Sequence, residues 1–311
     1  MAYSVQQTSE GGYIVAGEMT PAGATAADAF VLKLKSDGSI DWQKSYGGTG
    51  DDRAWSIRQA SDGGFIVAGE TNSFGAGDFD IWVLKLQPDG SIDWQRTFGG
   101  NKDDTAYSVR QTSDGGYIIA GGATPAGSIF NDVFLLKLDA SGTVEWEEIY
   151  GGSNRVNNDL AFSVQQTLEG GYIVAGKTSR SGNPLGDMWV LKVKSNGLID
   201  WQKTYGKNDN NTNSANFIRQ ISDGGYIVAG ETSSFGAGNA DVWVLKLDAS
   251  GNIGSGCSGP AIGTSNATAT ASGLNEGISS VTGIATNAVA SSTSVSPIDS
   301  TATTTTQCSF P

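Results

Sequence analysis

The sequence predicts an all-β fold: a β-propeller of five four-stranded antiparallel blades, followed by a small C-terminal β-rich or extended tail. Three observations predict it. One phrase of about fifty residues recurs, its copies opening at Ala2, Ala54, Ala106, Ala161 and Ala215, with spacings of 52, 52, 55 and 54 residues. Each copy holds short apolar runs of strand length, and none has a helical period. Gly supplies 44 of the 311 residues while charged residues supply only 16%, a composition suited to short strands joined by tight turns.

The second copy shows the elements in order. Its four runs are "AWSIRQ", "GGFIVAGE", "DIWVLKL" and "SIDWQRTF", all rich in β-branched and aromatic residues. Turn signals follow them: "SDGG", "SFGAGD", "PDG" and "GGNKDD". A single meander of this kind leaves two apolar faces and two raw edges, so it is not stable alone. Meanders packed face to face around an axis cover one another, which is the logic of a propeller blade. The run "DIWVLKL" is apolar on both faces and belongs in the middle of a blade.

Recurring residues receive structural roles. The pairs Gly11–Gly12, Gly63–Gly64 and Gly224–Gly225 allow positive φ after a tight turn. Trp42, Trp94, Trp146 and Trp201 share one place in the fourth strand, and Phe30, Trp82, Phe134, Trp189 and Trp243 share one in the third. Both sets are assigned to the core between blades, each ring burying roughly 150–250 Å². Three polar places recur in all five copies. Asp28, Asp80, Asp132, Asp187 and Asp241 precede the third strand and are expected to accept loop N–H groups. Lys33, Lys85, Lys137, Lys192 and Lys246 are expected to meet a carboxylate or carbonyls, and Gln7, Gln59, Gln111, Gln166 and Gln220 to tie the blade together.

The stretches "DGGYIVAGETSSFGAGNADVWVLKLDASGNI" and "DWQKTYG" resemble the SBBP-type β-propeller repeat of secreted and cell-surface proteins of bacteria and archaea, over residues 2 to about 253. The resemblance implies an extracellular propeller and supplies no catalytic residues. The family label suggests seven blades; five copies are present.

Residues 1–253 therefore form the repeat domain and 254–311 a distinct C-terminal segment. The fifth copy breaks off after "WVLKLDASGNI", and the chain turns to Ser, Thr, Ala, Gly and Val. This composition fits a disordered stalk. Its β-branched runs, and the two cysteines that bracket it, Cys257 and Cys308, point instead to order and a disulfide. Such a bond would contribute roughly 4 kcal/mol and would indicate an oxidising, extracellular setting; two isolated thiols are the alternative. An extended tail next to a missing strand is expected to pair with its own propeller or with a neighbouring copy. Asn210 and Asn266 match the N-glycosylation pattern.

The sequence has no His, which removes the commonest general base and transition-metal ligand. Its net charge of −13 excludes a nucleic-acid partner, and no apolar run reaches membrane-spanning length. No catalytic residues and no cofactor site are assigned, so the chain is expected not to be an enzyme. Calcium is the one metal considered, at the paired carboxylates Asp51, Asp52, Asp103 and Asp104, which otherwise cap turns. Recognition is expected in the loops that differ between copies, such as "TPAGATAAD", "TPAGSIFND", "SRSGNPLGD", "GGSNRVNNDL" and "YGKNDNNTNS". The function read from these features is an extracellular structural or interaction protein: a cell-surface scaffold, adhesin or filament subunit, self-associating through its tail. A carbohydrate-binding propeller that meets surface glycans is the alternative, and a polysaccharide-active enzyme ranks behind both.

Overall fold

The apolar runs of the repeated phrase become strands, and the described residues contain no helix. The computed structural model describes residues 1–21, 23–151, 158–179, 184–206, 211–235 and 239–253, and three short strands of the tail. The first sheet is β1 (Ala2–Gln7), β2 (Tyr13–Met19), β3 (Asp28–Leu34) and β4 (Ile40–Gly47). The second is β5 (Asp52–Gln59), β6 (Phe65–Thr71), β7 (Asp80–Leu86) and β8 (Ile92–Phe98). The third is β9 (Thr105–Gln111), β10 (Tyr117–Ala123), β11 (Asp132–Leu138) and β12 (Val144–Gly151). The fourth is β13 (Leu160–Gln166), β14 (Tyr172–Thr178), β15 (Asp187–Val193) and β16 (Ile199–Gly206), and the fifth is β17 (Asn213–Gln220), β18 (Tyr226–Thr232) and β19 (Asp241–Leu247). Within each sheet, successive strands pair antiparallel.

The turn chemistry works as the glycines imply. Gly63 has φ of 82°, and the Asp62 carboxylate accepts the Gly64 N–H at 2.9 Å, closing the turn between β5 and β6. The third strands carry the face-to-face packing. Trp82, Leu84 and Leu86 of β7 point to the first sheet and meet Ile14, Ala16, Ala29 and Val31. Ile81 and Val83, one residue out of phase, point to the third sheet with Ile66 and Ala68. Every residue of β7 and β11 is buried for this reason. The same interlock joins the third sheet to the fourth and the fourth to the fifth.

Both aromatic columns lie between sheets, as assigned, except Phe30, which is half-buried and belongs to no inter-sheet cluster. Trp82, Phe134 and Trp189 are fully buried. Trp42 reaches across to Phe65 of the next sheet at 5.9 Å and donates its indole N–H to the Pro88 carbonyl at 3.1 Å. Trp94, Trp146 and Trp201 repeat the ring contact with Tyr117, Tyr172 and Tyr226.

The first strands of successive sheets touch one another and form the inner layer of the arc. Each has a register shift after its alanine: Ala54 pairs with Gly69, Ser56 with Ala68, and Trp55 is the extra residue of a β-bulge. The bulge drives the backbone against the facing glycine. A Cβ on Gly121 would lie 1.9 Å from the Thr105 carbonyl oxygen, so no side chain fits there.

Two expectations need correction. The five blades do not all have four strands. Among the described residues the fifth sheet has three, with the Leu247–Ile253 bridge after the last. Three others gain a fifth strand from the tail: β20 (Thr268–Thr270) pairs antiparallel with β16, β21 (Asn275–Gly277) with β12, and β22 (Val289–Ser292) with β4. The described strands of the tail thus pair with the chain's own sheets, along the outer edges of the fourth, third and first. The five sheets also form an open arc. Among the described residues no apolar cluster joins the first sheet to the fifth, and Val5, Tyr13, Phe217, Val242 and Val244 are exposed on the two end faces. Cys257, Cys308, Asn210 and Asn266 lie outside the described residues.

Gly121→Ala is expected to lower the unfolding free energy by roughly 3 kcal/mol in urea titration, at the upper end of the ordinary cost of overpacking. A loss below about 0.5 kcal/mol would mean that the bulged strand does not press on this glycine.

Candidate functional site at the inner strands

The bulge aims a side chain toward the inner layer in every sheet. In four of the five that residue is aromatic: Tyr3, Trp55, Tyr107 and Phe162. Their rings follow one another across the inner strands, with centroids 4.2, 5.8 and 5.3 Å apart. The Trp55 indole N–H is buried without a hydrogen-bond partner. These rings were not singled out from the sequence, although the signal is there: the second letter of "AYSVQQ", "AWSIRQ", "AYSVRQ" and "AFSVQQ" is always aromatic.

Charged groups flank the row at the start of the inner strands. Tyr3 donates to Glu18 Oε1 at 2.6 Å, and Arg53 bridges Glu18 and Glu70 at 2.8 and 2.7 Å. The Arg53 guanidinium also lies 5.0 Å from the Phe79 ring centroid. Burial, together with the Glu18 carboxylate, pushes the Tyr3 phenol up to about 12. Farther along, Arg58 and Arg110 occupy equivalent places on β5 and β9. Arg58 donates to the Ile57 carbonyl and Ser4 Oγ, and Arg110 to the Val109 carbonyl; among the described residues neither has a carboxylate partner. Burial first, and then the Arg58 charge, lowers Arg110 to about 10. At the opposite end of the inner strands a cleft of about 520 Å³ is lined by neutral groups, among them Gln6, Gln7, Gln59, Ser61 and Gln111.

The recurring polar residues do structural work. The carboxamide oxygens of Gln59, Gln111, Gln166 and Gln220 accept the backbone N–H of Ser9, Ser61, Ser113 and Leu168 in the preceding sheet, at 2.7 to 2.9 Å. They tie neighbouring sheets together, and Gln111 and Gln220 also hold their own blade, donating to the Gly115 and Gly224 carbonyls of its first turn at 3.2 and 3.5 Å. Gln7 holds the same place in the first sheet. The lysines find acids as expected: Lys85 meets Asp62 at 2.6 Å, and Lys137 meets both Asp114 and Glu145 at 3.0 Å. Asp80 accepts the Ala76 N–H at 2.7 Å.

The four carboxylates considered for calcium are placed in loops at the start of β5 and β9. Asp52 accepts the Gly48 N–H at 3.0 Å and bonds to Ser73 and Thr71. Asp104 accepts Gly100 N–H and Thr124 N–H, both at 2.7 Å. Asp51 and Asp103 accept the Ala27 and Phe79 N–H groups, at 2.8 and 3.3 Å. Among the described residues no three acidic groups converge as metal ligands. Asn158 and Asp159 echo the arrangement, taking the N–H groups of Asn131 and Ser179 at 3.0 Å.

Comparison with known proteins agrees with a β-propeller. A domain of unknown function (DUF5122) β-propeller matches residues 60–93. That stretch lies within one repeat, and the match supports a propeller repeat without singling out the SBBP type. No curated protein matches the chain. Among solved structures, a protein of unknown function from Bacteroides caccae is 14% identical, with 81% of this chain and 79% of its own covered and a TM-score of 0.44. A provisionally assigned exo-β-1,3-galactanase from Bifidobacterium bifidum s17 is 12% identical, covering 79% and 86%, with a TM-score of 0.45. An endo-arabinase from Bacteroides thetaiotaomicron VPI-5482 is 11% identical, covering 78% and 92%, with a TM-score of 0.42. The expectation that the chain is not an enzyme is withdrawn, because two of these similar structures are named as glycan-cleaving enzymes. At such identities the likeness assigns no activity and no residue role to this chain.

Burial raises two loop carboxyls: Asp80 to about 7, with a smaller push from Asp104, and Asp104 itself to about 6. Both lie above their unfolded value of about 3.9. The native state therefore holds these protons more tightly, and stability falls as pH rises from about 4 through about 7. The melting temperature is expected to be higher at pH 5 than at pH 8. Asp80→Asn, which keeps an oxygen for the Ala76 N–H, should flatten that difference. An unchanged slope in the variant would remove Asp80 as its source.

Proposed function

We propose that this chain is an extracellular or cell-surface structural and interaction protein whose sheets dock onto other polypeptides. The observation that supports the reading is the pair of uncovered end faces. Sheet-to-sheet packing is the main source of burial in the molecule, and the fifth sheet repeats the donor half of that packing with Val242 and Val244 at 85% and 53% exposure. The first sheet presents the acceptor half with Val5, Tyr13 and Gln7. Apolar faces of this kind mark association surfaces. The acidic composition, the two cysteines and the repeat support a setting outside the cell.

Sedimentation velocity should show concentration-dependent association of the native chain. Val242→Glu combined with Val244→Glu should abolish it without changing the circular dichroism. A native chain that stays monomeric up to its solubility limit would refute the docking role of these faces.

A second reading is favoured by the aromatic row and the two arginines without acid partners: binding of glycans that carry carboxylate or sulfate groups. Aromatic faces stack on sugar rings, and guanidinium groups recognise such anions. A polyuronate should quench the tryptophan fluorescence more strongly than a neutral glycan. Trp55→Ala should weaken binding about tenfold, the scale of one good ring contact. Equal response to charged and neutral glycans would remove this reading.

A further inference from the structure

Among the described residues, the inner layer of the second and third sheets gathers hydrogen-bond donors without matching acceptors. The place just before the end of each first strand holds Gln6, Arg58, Arg110, Gln165 and Arg219 in the five copies. Where it is glutamine, the carboxamide oxygen reaches forward: Gln6 accepts the Gln59 N–H at 2.8 Å, and Gln165 accepts the Gln220 N–H at 3.1 Å. The first strand is an edge of its sheet, and Gln59, Gln111, Gln166 and Gln220 all stand in one register against the second strand. The N–H groups of Gln111 and Gln166 therefore also point off the edge. Arginine carries no acceptor. With Arg58 and Arg110 in the place of glutamine, no side chain among the described residues takes those two N–H groups.

Each arginine uses one nitrogen on the protein. Arg58 Nη1 donates to the Ile57 carbonyl at 2.6 Å and to Ser4 Oγ at 3.1 Å, and Arg110 Nη1 donates to the Val109 carbonyl at 3.1 Å. Among the described residues, Nε and Nη2 of both have no hydrogen-bond partner. Those two nitrogens are the fork of a guanidinium, the edge that matches a pair of anion oxygens. β5 and β9 are neighbours in the inner layer, and both arginines are half-buried. Burial lowers the proton affinity of each, and at Arg110 the Arg58 charge adds to it. Two like charges held side by side out of water cost stability unless an anion lies between them. Each arginine also follows, three residues on, a ring of the aromatic row: Trp55 on β5 and Tyr107 on β9.

We infer that Arg58 and Arg110 hold one tetrahedral oxyanion between their forks, carried as a sulfate ester by a glycan that stacks along the aromatic row. A carboxylate has two oxygens, and one fork occupies both. A sulfate ester keeps three free oxygens and accepts from two forks at once. The Gln111 N–H is a further donor on the same layer. The inference rests on the glycan reading above and names the anionic group which that reading leaves open.

The probes are a sulfated dextran oligosaccharide, the same dextran without sulfate, polygalacturonate and inorganic sulfate, each titrated into the full-length protein by calorimetry at constant ionic strength. The sulfated dextran is expected to bind about tenfold more tightly than polygalacturonate, the scale of one further charged fork, with plain dextran weakest. Arg58→Gln and Arg110→Gln install the residue that the first and fourth sheets already carry at this place. Both variants should melt no lower than the native chain, and each should weaken the sulfated dextran about tenfold. Arg110→Lys, which keeps the charge without the fork, should fall between. Equal affinity for sulfated dextran and polygalacturonate overturns the proposal, as does undiminished binding by the glutamine variants. Binding of inorganic sulfate with no gain from the glycan carrier also overturns it, leaving a small-ion site. If sulfated dextran fails while polygalacturonate still quenches the tryptophan fluorescence, the glycan reading stands and this inference falls; if neither binds, both fall.

Discussion

A sheet that is apolar on both faces is stable only when both faces are covered, and every other feature of this chain follows from that requirement. The third strands carry an aromatic residue and leucines or valine toward one neighbour and aliphatic residues without a ring toward the other, so each interface sets a ring-bearing third strand against an aliphatic one. The inner strands keep the sheets close. Ser4, Ser56, Ser108 and Ser163 each accept, at 3.3 Å, a backbone N–H from the following sheet. The glutamines reach in the opposite direction. Hydroxyl forward and carboxamide back together fix the register of sheet on sheet, which apolar packing alone leaves free to slide.

The repeat, the strand count of a full copy and the two aromatic columns were legible in the sequence, because each depends on residues close together in the chain. The lysine assignment was legible for the same reason. The inner strand was not. Read with a period of two, "AWSIRQ" puts Ala54 and Ile57 on opposite faces. Both face the first sheet, because Trp55 is an extra residue in the ladder. The bulge is what turns the aromatic residue inward, so missing the bulge meant missing the row. The partners of the glutamines were hidden too: a side chain reaching about fifty residues back across an interface leaves no local trace. Whether the arc closes depends on the angle between sheets, which no single repeat encodes, and the tail pairs with outer edges far from where it leaves the fifth sheet.

Charge is divided by place. The lysines are held by turn and strand acids on the flanks of the sheets, where pairing is local and partly exposed. The carboxyls in the loops before the third and first strands are buried among backbone N–H groups, which stabilises the loops but raises the proton affinity of Asp80 and Asp104. A chain with 19 cationic residues against 32 acids nevertheless places two arginines, Arg58 and Arg110, on the inner strands with no acid partner among the described residues. Carbonyl groups satisfy part of their donor capacity and leave their charge unneutralised, which distinguishes the inner layer from the acidic exterior.

The two ends of the arc are not equivalent, and the difference lies in the inner strand of the fifth copy. The first sheet's outward surface keeps the residues that every later sheet uses toward its predecessor, including Val5 in the place of Ile57 and Gln7 in the place of Gln59. The fifth copy reads "ANFIRQ". Asn216 takes the bulge position held elsewhere by an aromatic ring, and Phe217 takes the place of the serine that accepts from the next sheet. Phenylalanine offers no acceptor there, and at 43% exposure its ring stands on the end face with Val242 and Val244. A further sheet of the same repeat would lose the inter-sheet hydrogen bond and meet a bulky ring on its inner strand. Terminal units of repeat arrays are commonly altered in this way, because their outer face must suit solvent or a different partner. The first face thus keeps the full packing pattern, whereas the last keeps it at Val242 and Val244 and departs from it at Phe217.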